Sequence, residues 1–204
     1  MSNTARKKQQ VPESYSPKDK PEIIKMVEVN RYEKVTERIS YNNVIFEVVE
    51  RPEILWVGKL AYASNLTDEP NIGKLLSEYQ RLVPTPKEER ISPDWDAAIS
   101  IDYWQGGAVP RGMMFAQETS SEKQADCYEL YKMPASLFMR VLNDTDAAKL
   151  LGKEKCENWE LFGFMKDIIM PQFGYKFNKN GAQEIEYHNY KTNIFYAYVP
   201  VVKV

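Results

Sequence analysis

A single histidine, His188, stands in 204 residues. Zinc and haem sites built on imidazole therefore have almost nothing to draw on. No serine or cysteine has a histidine in its sequence neighbourhood, so no nucleophile–base pair is visible. Cysteine is equally scarce. Cys127 and Cys156 are far apart and fit no metal spacing, which points to two structural thiols in a reducing cytoplasm and not to a disulfide. The 9 glycines form no GxxxxGKS or GxGxxG run, so phosphate-cradling loops are excluded. No stretch approaches the roughly 20 apolar residues of a membrane span. The opening MSNTARKKQQ is basic but lacks the apolar run of a signal peptide. An excess of one charge is missing too: the net charge is −2, and no global field favours nucleic acid. A cytoplasmic protein is expected, without cofactor, metal, membrane association or direct nucleic-acid binding.

What is present is aromatic. The chain carries 13 Tyr, 8 Phe and 4 Trp within a hydrophobic fraction of 43%, a stock that suits sheets and pocket walls alike. It is also repetitive. FEVVERPEILWVGKL at Phe46–Leu60 lies over YELYKMPASLFMRVL at Tyr128–Leu142 with a constant offset of 82 and no gap. Aromatic falls on aromatic (Phe46 on Tyr128, Trp56 on Phe138), and Pro52 falls on Pro134. Each copy alternates and is broken by its proline, so each reads as two short strands or one bent strand. A repeated strand unit predicts a duplicated fold with a pseudo-two-fold cleft between the units.

In chain order, residues 1–21 are polar and read as a disordered basic tail. Residues 22–43 form an extra N-terminal element on the domain edge. The first unit spans 44–119. After its opening strands, Asp68 is a cap candidate, and Ile72, Leu75, Leu76, Tyr79 and Val83 make one apolar stripe of a helix ended by Pro84 and Pro86. A strand Ala97–Trp104, a Gly106-Gly107 turn and a strand Arg111–Glu118 follow. A polar linker leads into the second unit, 126–202, which repeats the order. Its main helix, Cys156–Met170, is stopped by Pro171 and is apolar over more than one face. That predicts burial on two sides, with Trp159 and Phe162 covered and one of them lining a cavity. The fold class is α+β: strand-helix-hairpin units, mostly antiparallel sheet and two main helices.

The order of these pieces resembles the GyrI-like, or AraC-type effector-binding, domains. The resemblance covers residues 44–204. It rests on the repeated order, on the helix opening at Trp159 and leading to Phe173-Gly174-Tyr175, on the strand Glu184–Tyr187, and on the closing Tyr198-Val199-Pro200-Val201. It implies a small-molecule binding module whose cleft holds an acid among aromatics. A carboxylate kept from water either raises its pKa or takes up a cation. Aromatic faces attract the same cation by roughly 0.5–2 kcal/mol each.

Strand alternation puts Glu184, Glu186, His188 and Tyr190 on one face of GAQEIEYHNY and Ile185 and Tyr187 on the other. The family pattern implied by the resemblance places a tyrosine two residues after the acid. Here His188 follows Glu186 at that distance, and Tyr187 is adjacent. The choice between Glu184 and Glu186 stays open, and Glu186 is favoured as the more central. Candidate aromatics are Tyr62, Tyr103, Trp104, Phe115, Phe138, Trp159, Phe162, Tyr196 and Tyr198, with Trp104 and Trp159 foremost. With no DNA-binding segment in evidence, the expected protein is a stand-alone sensor, carrier or sequestering protein for lipophilic ligands, cationic or toxic ones included. One alternative is a hydrolase that opens strained-ring alkylating compounds, with the Glu186 carboxylate activating water or steadying developing positive charge. Another is a protein-interaction role such as gyrase modulation. A small-molecule ligand is the expected partner, and a homodimer or protein partner is compatible with this reading.

Overall fold

Alternating β-branched, aromatic and aliphatic residues make strands of most of the chain. The computed structural model describes residues 33–82 and 89–204. The expected tail, the extra element up to residue 32, and Val83, Pro84, Pro86 and Lys87 lie outside them. Ten strands form one antiparallel sheet: β1 (Lys34–Tyr41), β2 (Val44–Arg51), β3 (Ile54–Tyr62), β4 (Trp95–Ile101), β5 (Gly112–Thr119), β6 (Glu129–Met133), β7 (Ser136–Leu142), β8 (Tyr175–Phe177), β9 (Glu184–Asn189) and β10 (Ile194–Lys203). Their order is β1-β2-β7-β10-β9-β4-β5-β3-β6, with β8 paired to β10. The part of the extra element that is described is thus an edge strand, β1, paired to β2.

The pairing registers repeat. Phe138 faces Val49 across β7 and β2, and 82 residues away Trp56 faces Tyr131 across β3 and β6. Arg140 faces Tyr198 across β7 and β10, as Gly58 faces Ala116 across β3 and β5. The opening strands do not pair with each other. Pro52 and Pro134 interrupt each copy, and β2 pairs with β7 while β6 pairs with β3. The central strands β4 and β9 follow an offset of 88, since Ala97 faces Ala116 while Ile185 faces Tyr198. Under that offset Ala98 and Glu186 map onto each other, and they are also direct cross-strand partners. The axis of the register symmetry therefore passes between these two residues.

Helices cover one face. α1 (Ile72–Arg81) packs over β3 and β5, capped by Asn71, whose Oδ1 accepts from the Lys74 amide at 3.0 Å. The cap expected at Asp68 is instead a loop residue that accepts from Ser64 and Asn65. α2 (Thr145–Leu150) is short and capped by Asp144. α3 (Asn158–Phe164) packs on β10 and continues through a π turn, Met165–Ile169, into Met170–Gln172. Pro171 does not stop it. The bond ladder changes step at Met170, whose amide reaches back to the Met165 carbonyl, so a residue without an N–H is tolerated there.

The sheet has two apolar faces. Under α3, Phe46, Val48, Met139, Val141, Ala197 and Val199 pack with Leu161, Phe162, Met165 and Ile169. On the opposite face Trp56, Ile99, Met114, Phe138, Ile185, Tyr187 and Tyr198 form a second buried cluster. Because side chains alternate, one strand feeds both clusters, and the charged residues threaded through it choose a face by parity.

Candidate functional site

On the helix side, Glu186 lies in a cross-strand row that runs Phe115, Ala98, Glu186, Ala197 and Val141. Alanines on both sides leave the carboxylate without tall neighbours. Glu186 is partly buried, and its Oε2 accepts from Asn158 Nδ2 at 3.3 Å. Asn143 fixes that amide by donating to Asn158 Oδ1 at 3.0 Å, and it also donates to the Cys156 carbonyl at 3.1 Å. Burial pushes the Glu186 carboxyl above its ordinary value; the Asn158 bond works against this, and Glu157 adds to it.

Two more acids flank this row, one on each side. Asp96 and Glu184 correspond under the offset of 88 and both face the helices. Lys166, in the π turn, pairs with Glu184 at 2.7 Å. Asp96 is held by neutral donors instead: the Tyr79 hydroxyl donates to its Oδ1 at 2.9 Å, and so does the Gln117 amide. Burial, and then the Asp96 carboxylate, push the Tyr79 phenol well up, so it stays a donor. Among the described residues no lysine or arginine forms an ion pair with Asp96 or Glu186.

Asp96 borders a cavity of about 300 Å³ under α1. Val57 and Gln117 form its floor with Asp96, and Tyr79, Leu82, Tyr128, Tyr190 and Arg90 contribute to its walls. In the second half the corresponding floor residues are Met139 and Val199, packed into the core under α3. The two halves thus differ at this place: apolar filling under α3, and a polar-lined space under α1.

The sequence-predicted residues scatter. Glu184, Glu186 and His188 share the helix side, and His188 stacks on Phe195 with ring centroids 3.9 Å apart. Phe115 is there too, 6.2 Å from the Tyr79 ring. Phe138, Tyr196 and Tyr198 sit on the opposite face, in the second cluster. Phe162 is core under α3. Trp159 is 64% exposed, contrary to the expected burial. Its helix buries one stripe, Asn158, Leu161, Phe162, Met165 and Ile169, and Trp159 lies off it. Tyr62 is exposed and lies against Gly112. Strand β4 ends at Ile101 because Asp102 turns left-handed, φ 61°, so Tyr103 and Trp104 lie in a 3-10 turn. Tyr103 donates to Glu69 at 2.7 Å, and Trp104 packs 6.4 Å from Phe177.

None of those predicted residues is among the cavity's lining residues. Asp96, Tyr79 and Gln117 went unsingled because each looks ordinary alone. The signal available was Asp96 standing on the face of strand WDAAISI opposite Trp95, Ala97, Ile99 and Ile101, at the position that Glu184 holds in β9.

No protein-family model and no curated protein sequence matches the chain. Solved structures do. An integron cassette protein from the mobile metagenome of Vibrio cholerae superposes with a TM-score of 0.50 at 10% identity, over 77% of this chain and 95% of that one. The protein SAV2435, solved bound to tetraphenylphosphonium, also gives 0.50, at 12% identity, over 77% of this chain and 93% of that one. At these identities the likeness is one of fold. No helix among the described residues is long and apolar enough to cross a membrane.

Proposed function

We propose that this protein binds small lipophilic ligands on the helix side of its sheet and prefers cationic ones. The observation that carries the reading is the pair Asp96 and Glu186. Asp96 lines the aromatic-walled cavity, and Glu186 lies in the neighbouring row of the same face between two alanines; both are held by neutral donors. A carboxylate so placed gains more from an incoming cation than one already paired. Tyr79, Tyr128 and Tyr190 supply the π faces that such a cation also favours, with Phe115 standing 6.2 Å from the Tyr79 ring outside the cavity lining. The resemblance to GyrI-like effector-binding domains and the tetraphenylphosphonium bound to SAV2435 support the same class of ligand.

Calorimetric titration at pH 7.5 with tetraphenylphosphonium and its neutral relative triphenylphosphine oxide tests this. The cation is expected to bind the more tightly. Asp96→Asn keeps the acceptor for Tyr79 and removes the charge, so it should weaken the cation about tenfold, near 1.4 kcal/mol, and the neutral probe much less. Affinity for the cation should also fall as the pH drops through the raised pKa of Glu186. Equal binding of the two probes, unchanged in Asp96→Asn and Glu186→Gln, would remove the acids from the site.

A further inference from the structure

The opposite face of the sheet holds a second charged site, unrelated to the helix-side acids. Arg51 at the end of β2 and Arg140 in β7 have side chains only 1% and 4% exposed. One carboxylate bridges them. Glu33 Oε1 lies 2.9 Å from Arg51 Nε, and Glu33 Oε2 pairs with Arg140 Nη1. The walls are aromatic: the Arg51 guanidinium lies 5.8 Å from the Trp56 ring, 5.5 Å from Tyr187 and 5.3 Å from Tyr198. Tyr196 lies 5.1 Å from the Arg140 guanidinium. Each guanidinium also pairs with a strand carboxylate, Arg51 with Glu118 and Arg140 with Glu47, and Glu33 is the one carboxylate that bridges the two inside the aromatic box, the geometry of a carboxylate receptor.

Three observations separate Glu33 from the other acids here. Glu118 and Glu47, which also pair with the arginines, stand within strands β5 and β2, each hydrogen-bonded on both sides. Glu33 precedes β1 and belongs to no strand. β1 is itself the sheet edge, and its register slips between Val35 and Glu37, just past Glu33. Moreover Glu33 does not saturate the site. Arg51 Nη1 is buried with no acceptor among the described residues, a costly omission for a charged donor.

We propose that Arg51 and Arg140 form a binding site for a ligand carboxylate, in which Glu33 is a tethered occupant that such a ligand displaces. Exchange conserves charge, one carboxylate for another, and it leaves the Arg51–Glu118 and Arg140–Glu47 pairs in place. The tether gives Glu33 a high effective concentration, which keeps the site closed until a ligand outcompetes it. Displacement frees the start of β1, so occupancy is coupled to the order of that edge.

Sodium propionate, with sodium chloride as the ionic control, is the probe. Glu33→Ala vacates a propionate-sized space. Its melting temperature should climb with the logarithm of propionate concentration up to about 100 mM and stay flat in chloride. Adding Arg140→Gln should abolish the response. If Glu33→Ala does not fold in plain buffer, refolding in propionate but not in chloride reads the same property. The discriminating measurement uses the wild-type chain, because a purely structural bridge would also accept rescue. In wild type, propionate at several hundred millimolar should speed amide exchange at Lys34 and Val35 relative to chloride. No rescue of Glu33→Ala, rescue that survives Arg140→Gln, or unchanged exchange in the wild type would each overturn the proposal. Since the probe is an anion and the site lies on the other face, none of these results bears on cation binding at Asp96.

Discussion

Arg140→Met should cost more than any surface change in this protein. The methionine keeps most of the stem and removes the guanidinium. Glu33 and Glu47 then lose a shared cation in a place where Arg140 is 4% exposed, and the Tyr198 hydroxyl loses its 3.0 Å donor. Breaking a buried pair by removing one partner costs about 3–5 kcal/mol. At roughly 2–4 °C per kcal/mol for a chain of this size, the melting temperature should drop by about 6–20 °C. The loss should depend on pH in one direction. Burial would raise Glu47, but the Arg140 and Arg38 guanidinia outweigh it and hold the carboxyl below its ordinary value. A depressed acid contributes stability that is present above its unfolded pKa and lost as the pH falls through the folded one. The gap between wild type and Arg140→Met should therefore be widest near neutrality and narrow below a pH of about 4. Urea melts at several pH values read both quantities. A loss under about 1 kcal/mol at pH 7, or a gap that does not change with pH, would refute the assignment of Arg140 as a buried, charge-compensating residue.

Other outcomes follow from the same geometry. Gly58→Ala would put a Cβ 1.9 Å from the Phe115 carbonyl oxygen, so the strand must shift; a loss of about 3 kcal/mol is expected in denaturant melts. Trp159→Ala removes an exposed ring and should alter stability by no more than about 0.5 kcal/mol, so any loss of ligand affinity in that variant reports contact and not folding. Glu186→Gln should stabilise the empty protein at neutral pH. An acid raised by burial makes the folded state bind the extra proton, so wild-type stability falls as the pH climbs above the unfolded value, about 4.3, and the amide escapes this. Melts at pH 4 and 7.5 should show the advantage only at the higher pH.

Much of the fold was legible because alternation and proline placement are local. Aligning Phe46–Leu60 with Tyr128–Leu142 anticipates equivalent strands, and the registers keep that offset through β5 and β10. Alternation likewise put Glu184, Glu186 and His188 on one side of β9. Strand partners were not legible. Nothing local says that β2 should leave β3 and pair with β7, because that choice lies in contacts some 90 residues apart, as between Phe46 and Val141. Trp159 was misread by counting apolar residues around a helix without following their phase. The arginine site carried a signal that alignment of the copies exposes. Arg140 falls where the first copy has Gly58, and Arg51 where the second has Met133. Positions where a repeat disagrees in charge mark the places where one half does something the other does not.

The axis residue Ala98 tests how far the register symmetry constrains the acid. Asp96 and Glu184 can both be acidic because they lie on opposite sides of the Glu186 row, opposite His188 and Ser100 respectively. Ala98 and Glu186 have no such separation, for they face each other across β4 and β9 on the same side of the sheet. Cross-strand Cβ atoms stand about 5 Å apart. Two carboxylates at that distance repel by about 3 kcal/mol at an effective dielectric of about 20. Glu186 is already raised by burial, so a second acid would push one of the two to hold its proton through neutral pH. Ala98→Glu should thus be less stable than Ala98→Gln at pH 7 by about 2–3 kcal/mol, size being matched, and the two should converge near pH 4 as the pair takes up protons. NMR titration of the carboxyl carbons should show a single shared proton leaving late. If the two variants are equally stable at pH 7, the side chains diverge from the axis, and the lone acid there is not imposed by its own symmetry mate.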